Sequence, residues 1–346
     1  MESKPTIAVL GCGYVGLTAA AVLACCDFRV WAVEINPDRL KAIKSGQSFF
    51  YEAGLNNLLK VALKSGSLTA TDSYAAAIPV SSIVFSCVGT PDNPDGSSNL
   101  NYVFEAARSA AKLLAPQSIF VQKSTVPVGT GAKIEQILAG KNKAIGYVSN
   151  PEFLREGTSI SDSLWFGRVV AGAGDKLAAE KVMNIYRTTL KSRDQVAALA
   201  KISAPEVVPK VQYITTSLAS AELIKVTANA FLALKISFAN SIAKLADQAG
   251  ADITQVMDGV GGDPRIGRAF LNAGRGYGGG CFPKDVSGLI RSAEDYGVAM
   301  EIMQAASQVN ESMPDYILGR AAKLIGGSFD GLKVSVLGLS FKAGTS

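Results

Sequence analysis

The chain contains no histidine in 346 residues. That absence excludes every mechanism resting on an imidazole: serine or cysteine hydrolases with a histidine base, His-ligated zinc, and dehydrogenases that use histidine as proton acceptor. Proton movement must therefore use Lys, Asp, Glu, Cys or bound water. Charge is also sparse, at 18% of residues, and the 34 basic and 29 acidic side chains are spread along the chain. Spread charge leaves no nucleic-acid footprint, and a net charge of +5 suits an anionic small substrate and plain solubility equally well. Cysteine is scarce: the five, at positions 12, 25, 26, 87 and 281, form no CxxC pair and no disulfide-dense framework, which favours a reducing cytoplasm. No apolar run reaches the ~18 residues of a membrane span, so no membrane partner is expected. Leu17 to Cys26 resembles a signal-peptide core, but it follows a complete strand and a glycine turn, and Glu2 occupies the would-be basic region; it reads as a buried helix. There is no short-period repeat and no low-complexity tract.

What is present is 48% hydrophobic residues in a chain of 36.0 kDa, enough for two domains with room for a third. The first third alternates strands and helices. Strands are expected at Thr6 to Leu10, Arg29 to Val33, Ser82 to Val88 and Ser118 to Lys123, with helices at Val15 to Cys26, Leu55 to Lys64 and Tyr102 to Leu114. Such alternation predicts an α/β fold, a parallel sheet with helices on both faces. Further strands are expected at Ala144 to Val148 and Arg168 to Ala171. From Ser217 to about Gly250 the spacing of Leu223, Val226, Ala230, Leu234 and Phe238 predicts one long helix. A mostly helical second domain follows, with helices at Ile253 to Gly259, Val286 to Tyr296 and Met300 to Leu324, and a glycine-rich loop at Gly274 to Gly280. Lys333 to Leu339 reads as the first strand of another α/β unit. The expected domains are 1–210 (dinucleotide-binding, Rossmann-like), 211–326 (helical, carrying the cysteine loop) and 327–346 (the start of a third). The connection around Arg193 to Lys210 is longer than this organisation requires.

Gly11-Cys12-Gly13-Tyr14-Val15-Gly16 is a GxGxxG between a strand and a helix, where a pyrophosphate meets bare backbone and a helix N-terminus. Alone the motif is weak. The second strand ends at Glu34, 18 residues past Gly16, where an acid accepts hydrogen bonds from an adenosine ribose and favours NAD over NADP. Arg39, five residues on, is placed to pair with a 2′-phosphate instead, so the residues alone leave that preference open. Gly89 and Thr90, after the fourth strand, and Ser124 and Thr125, after the fifth, lie at the carboxyl edge of the sheet where ligands bind. Ser124 and Thr125 equally suit a helix cap.

Cys281 lies in Gly276-Tyr277-Gly278-Gly279-Gly280-Cys281-Phe282-Pro283-Lys284-Asp285. Lys284 and a helix start beside it favour thiolate, which makes Cys281 a candidate nucleophile. The other cysteines sit in apolar runs or the glycine turn and read as inert. Lys225 and Asn229 are four residues apart on one face of the long helix. Among apolar neighbours they read either as a solvated stripe or as a desolvated pair that holds an oxyanion. Asn150 to Gly157 supplies two carboxylates, Glu152 and Glu156, beyond a strand end. No metal site is expected.

KSTVPVGT, SNPEFLREG, AELIKVTANAF, GDPRIG and GYGGGCFPKD follow the N-terminal GCGYVG in that order. With them the chain resembles, over nearly its whole length, the family of NAD-dependent UDP-glucose/GDP-mannose dehydrogenases. The resemblance implies oxidation of a sugar C6 alcohol to a carboxylate, UDP-glucose to UDP-glucuronate, with two NAD, one water and a thioester on Cys281. It implies that Lys225 and Asn229 hold the oxyanion, that Asp285 assists proton transfer, and that Glu152 with Thr125 directs the hydrolytic water. It assigns Gly11, Gly13, Tyr14, Val15, Gly16, Glu34, Arg39, Gly89, Thr90, Ser124, Thr125 and Glu156 to the cofactor. Glu152 to Glu156 (Phe153, Leu154 and Arg155 among them), Lys225, Asn229, Tyr277, Gly278, Phe341 and Lys342 fall to the substrate, as does Arg265, acting across a subunit boundary. A homodimer through the long helix is the implied partner state. Two departures stand out: Gly280 replaces a serine common before the nucleophile, and the family's second Rossmann-like domain, which binds UDP, is represented only by its first strand. The alternatives are a dehydrogenase of another nucleotide sugar, a UDP-N-acetylhexosamine or GDP-mannose, and an inactive NAD-binding dimerisation module.

Overall fold

The computed structural model describes residues 4–140, 144–338, 340, 342, 344 and 345. The chain opens with β1 (Thr6–Leu10), α1 (Tyr14–Cys25), β2 (Arg29–Val33), α2 (Pro37–Lys44), α3 (Leu55–Ser65), β3 (Leu68–Thr71), α4 (Tyr74–Ala77) and β4 (Ile83–Ser86). It continues through α5 (Asn101–Leu113), β5 (Ile119–Gln122), α6 (Thr130–Ala139), β6 (Gly146–Ser149), α7 (Ser159–Leu164), β7 (Arg168–Gly172), α8 (Lys176–Ala200) and β8 (Gln212–Thr216). Helices α9 (Leu218–Ala249), α10 (Ile253–Gly261), α11 (Phe282–Asp295), α12 (Glu301–Glu311) and α13 (Met313–Leu324) complete the order.

The strands form one sheet in the order β3-β2-β1-β4-β5-β6-β7-β8, parallel except where Ser149 of β6 meets Gly172 of β7 in antiparallel register. Alternate residues of a strand point to opposite faces, and here both faces are buried. Ile7 and Val9 join the core under α1, α3 and α8, whereas Ala8 and Leu10 join the core under α5 and α6. This double burial is why β1 reads as an unbroken apolar run. The strand order reverses between β1 and β4, which opens a crevice beyond their carboxyl ends.

The chain divides into two compact units. One holds the chain as far as Pro91, Asn99–Lys225 and the residues from Lys342 on; the other holds Asp92–Ser98 and the chain from Val226 as far as that tail. The division falls inside α9, and 212–216 form β8, hydrogen-bonded to β7 at the sheet edge. The long connection has a similar explanation: residues 193–200 are the last turns of α8. The second unit packs around Val226, Ala230, Ala233, Val286, Leu289 and Met303, with a smaller cluster of Ala239, Met257 and Leu271.

Two expectations are corrected. The helix read as continuous from Met300 to Leu324 breaks at Ser312, because Pro314 in the first turn of α13 offers no N–H to continue α12. Residues 333–338 form no strand, and Val334, Val336 and Leu337 are exposed. Among the described residues no neighbouring strand supplies the hydrogen bonds that would hold one. Leu339, the end of that expected strand, lies outside the described residues. Helix α9 is, by length and composition, apolar enough to cross a membrane. It also buries Glu222, Lys225, Asn229, Ser237 and Asn240, whose side chains all make polar contacts within their own unit, as in a core helix.

Candidate active site

In the first unit the crevice is shaped by glycines with three different duties. Gly11 turns the chain at φ +82°, with no space for a side chain against Val88. Gly16 packs α1 on the sheet: a Cβ there would lie 1.9 Å from the Gly11 carbonyl oxygen. At Gly13 and Gly89 an added Cβ would meet nothing within 4 Å. That open backbone, on either side of the strand-order reversal, is where a pyrophosphate fits. Gly13 starts α1 without a side-chain cap, so the first N–H groups of the helix are left for an anion. Glu34, at the end of β2, accepts from the Cys12 N–H (3.2 Å) and the Asn36 N–H (2.9 Å), and its carboxylate has further lone pairs with which it could accept from a ribose. The exposed Arg39 stacks its guanidinium 4.7 Å over the Phe49 ring. Tyr14 and Val15 form the first turn of α1. The Tyr14 hydroxyl lies 2.7 Å from Glu52 Oε2 and accepts from the Gly157 N–H at 2.8 Å. Burial, with Glu52 beside it, keeps the phenol protonated. Ser124 donates to the Val88 carbonyl at 2.7 Å, tying the loop after β5 to the turn that carries Gly89 and Thr90; Thr125 follows, half-buried.

Beyond β6, the buried Glu152 pairs through Oε1 with Lys225 Nζ at 3.1 Å, while Oε2 accepts from the Leu154 N–H. Both side chains are under 10% exposed, so the charges are held dry. The Lys225 ammonium also lies 5.6 Å from the centroid of the Phe153 ring, and Arg168 covers that ring at 3.9 Å. Arg155, expected to face substrate, grips Asp162 with two side-chain N–H groups, at 2.6 and 3.0 Å. Glu156 lies half-buried in the following turn. A cavity of about 300 Å³ beneath this segment is walled in part by Lys123, Asn150, Glu152, Phe153, Arg168 and Tyr186.

In the second unit Cys281 is the residue from which α11 starts, its carbonyl accepting the Asp285 N–H at 2.8 Å. A helix N-terminus favours thiolate. Cys281 is exposed, whereas the other four cysteines are buried or half-buried. Burial pushes the Cys25 thiol up to about 11 and those of Cys26 and Cys87 to about 12, and raises Cys12 well above its ordinary value. Asp285, 3% exposed, accepts from Asn229 Nδ2 at 2.5 Å and pairs with Lys284 Nζ at 2.7 Å. Lys225 and Asn229 thus stand one turn apart on α9, each with a carboxylate partner in its own unit. Gly278 and Gly280 leave open space around the cysteine loop. Tyr277 packs into the core against Phe282, and its backbone is clamped by Asn310, with contacts of 2.7 and 3.1 Å; it shapes the loop from behind. Arg265 is exposed and paired with Asp263. Lys342 is exposed in a turn closed by Thr345, and Phe341 lies outside the described residues.

Sequence reasoning missed three features. Glu52 links Tyr14 to the Ile160 N–H. The buried Lys123 donates to the Tyr186 hydroxyl at 2.9 Å, and Tyr186 bonds to Asn150. Glu222 bonds the start of α6. The signal available for Lys123 was its place directly after an apolar strand, where a lysine is buried only if partnered.

A doubly wound unit with a glycine crevice and an acid after its second strand has the form of a dinucleotide-binding domain, as dehydrogenases carry. Residues 5–190 match the UDP-glucose/GDP-mannose dehydrogenase family, NAD binding domain, and residues 219–312 match its central domain. The chain belongs to the UDP-glucose/GDP-mannose dehydrogenase family, and it is an NAD-dependent nucleotide-sugar dehydrogenase. It is 38% identical to UDP-glucose 6-dehydrogenase TuaD of Bacillus subtilis over 98% of this chain and 70% of that one. It is also 38% identical to UDP-glucose 6-dehydrogenase of Rhizobium meliloti, over 98% and 75%. A solved UDP-glucose dehydrogenase from Pyrobaculum islandicum superposes with a TM-score of 0.84 at 37% identity, covering 94% of this chain and 72% of that one. A UDP-D-ManNAc dehydrogenase from Pyrococcus horikoshii gives 0.80 at 26%, covering 92% and 72%.

Proposed function

We propose that this chain oxidises UDP-glucose to UDP-glucuronate in two successive two-electron steps, the second through a thioester on Cys281. The observation that carries the reading is the buried Asn229–Asp285 pair, whose carboxylate lies on the first turn of the helix started by the exposed Cys281. NAD, when bound in the crevice, supplies the hydride acceptor for each oxidation. In the first, the C6 alcohol loses a proton and a hydride and becomes an aldehyde, with the Lys225 ammonium steadying the developing alkoxide. The Cys281 thiolate then adds to the aldehyde carbon, forming a C–S bond and an oxyanion held by Lys225 and the second N–H of Asn229. Loss of hydride from that carbon leaves the thioester. Glu152 with Thr125 orients and deprotonates a water that attacks it; the C–S bond breaks and the carboxylate departs. Asp285 relays protons through water. The balance is one water consumed and four electrons removed, with no imidazole required.

In this reading Phe153, Leu154, Arg155, Glu156, Gly278 and Lys342 serve the nucleotide sugar, and Arg265 serves that of a second subunit. Glucose is favoured because the 38% identical relatives carry that name, whereas the UDP-D-ManNAc enzyme stands at 26%. A homodimer through α9 is supported by the exposed stripe of Leu223, Phe231, Phe238 and Leu245 along that helix. An exposed nucleophilic cysteine also suits a reducing cytoplasm. The test is NADH formation with a panel of nucleotide sugars for the wild type and Cys281→Ser. The expected result is activity with UDP-glucose and no acid formation by the variant; full acid formation by Cys281→Ser would remove Cys281 from the mechanism.

A further inference from the structure

Glu222 takes no part in the chemistry above, yet it is held tightly. It lies one turn before Lys225 on α9 and is 3% exposed. Its oxygens accept from the Gly129 N–H at 2.8 Å and the Gly131 N–H at 2.6 Å. These groups open α6, where a helix has donors without intrahelical partners. The loop so closed begins at Ser124, which is anchored on the Val88 carbonyl, and carries Thr125. Its middle turns at Gly129 (φ +90°), with the Thr130 hydroxyl donating to the Pro127 carbonyl at 2.6 Å. Its end has no slack: a Cβ on Gly131 would lie 2.9 Å from Glu222 Oε1 and 3.0 Å from the Tyr147 ring.

A serine or asparagine would cap a helix at lower cost than a buried carboxylate. Burial outweighs the two N–H bonds and pushes the Glu222 carboxyl up to about 7. The other titratable groups at this place are Tyr147 on β6 and Glu135 on α6. The Tyr147 hydroxyl is buried without a hydrogen-bond partner among the described residues, so neither group neutralises the carboxylate.

We propose that Glu222 is a positioning residue for the reaction: its ionised carboxylate holds the Ser124–Gly131 loop, and with it Thr125, in the arrangement that directs the hydrolytic water. The inference rests on the role given to Thr125 above. In the neutral form a carboxyl hydroxyl faces one of the two N–H donors and that bond is lost, so the loop loosens while the fold stands. Glu222→Gln imposes the same defect at every pH.

The test compares the wild type, Thr125→Ala and Glu222→Gln in the full chain by kcat, KM for NAD and UDP-glucose, and thermal unfolding, from about pH 5 to 9. Glu222→Gln is expected to unfold cooperatively yet lose about 10- to 100-fold in kcat, the size of effect that an ångström-scale misplacement produces. The wild type should fall in kcat on the acid side of about 7 and Glu222→Gln should lack that fall; a wild type without it would overturn the proposal. A slow Thr125→Ala beside a Glu222→Gln within about twofold of wild type would overturn this proposal alone. Slow turnover in Glu222→Gln with the acid-side fall intact would overturn it too. Full turnover in Thr125→Ala would overturn the reading beneath it. If Glu222→Gln fails to fold, Gly131→Ala presses on the same oxygen, and full turnover in that variant contradicts the clamp.

Discussion

Of the buried carboxylates, Glu152, Glu222 and Asp285 are satisfied in two different ways. Glu152 and Asp285 each have a lysine, at 3.1 and 2.7 Å, whereas Glu222 is held by two backbone N–H groups. Its carboxyl, ordinarily near 4.5, is raised to about 7 in the folded protein. The folded state therefore binds this proton more tightly than the unfolded chain. Stability from this group is fully present below about 4.5 and is lost as pH rises through about 7. Relative to Glu222→Gln, the wild type should lose on the order of 3 kcal/mol of unfolding free energy between about pH 4.5 and 8. Denaturant unfolding of both proteins across that range checks this, and a pH-independent difference would contradict it. Activity and stability would then move in opposite directions with pH, as expected where a strained group is kept for function. Cys281, Lys225 and Asn229 are legible as candidates because their residue types and spacing carry chemistry, and Asp285 only through the family resemblance. Glu222 was not, because an acid on an amphipathic helix reads as a solvated residue until its tertiary partners are known.

Among the elements, the turn from β1 to α1 separates ligand binding from folding. Gly13→Ala adds a Cβ in open space at the start of α1, so stability should stay within about 1 kcal/mol while NAD affinity falls by about tenfold or more through loss of close backbone approach. Gly16→Ala sets a Cβ 1.9 Å from a carbonyl and should lower stability and NAD binding together. Calorimetric unfolding and NAD titration of both variants distinguish them, and an unchanged NAD affinity in Gly13→Ala would place the cofactor elsewhere. The ends of β1 and β2 match the sequence reading because apolar runs bounded by turn residues mark doubly buried strands. Edge strands β3 and β8 escaped it: LTAT and QYITT are half polar, and their partners β2 and β7 come from elsewhere in the chain. Helix α8 was missed because its 25 residues mix alanine with charge along much of its surface. Pro314 signals the break at Ser312, across which the helical spacing alone continues.

For the whole molecule, α9 both holds site residues and presents an apolar face. Leu223, Phe231, Phe238 and Leu245 are 44%, 59%, 50% and 65% exposed, spaced eight, seven and seven residues apart. A stripe of this spacing suits a second copy of the helix. Phe231→Asp with Phe238→Asp should convert a dimer to a monomer in sedimentation equilibrium, and a monomeric wild type would contradict the assignment. The central claim is the four-electron oxidation at Cys281, and the ratio of NADH formed to UDP-glucose consumed tests it most directly. Oxidation through the thioester gives a ratio of about two, with UDP-glucuronate as product; a ratio of one, with free aldehyde released, would contradict it.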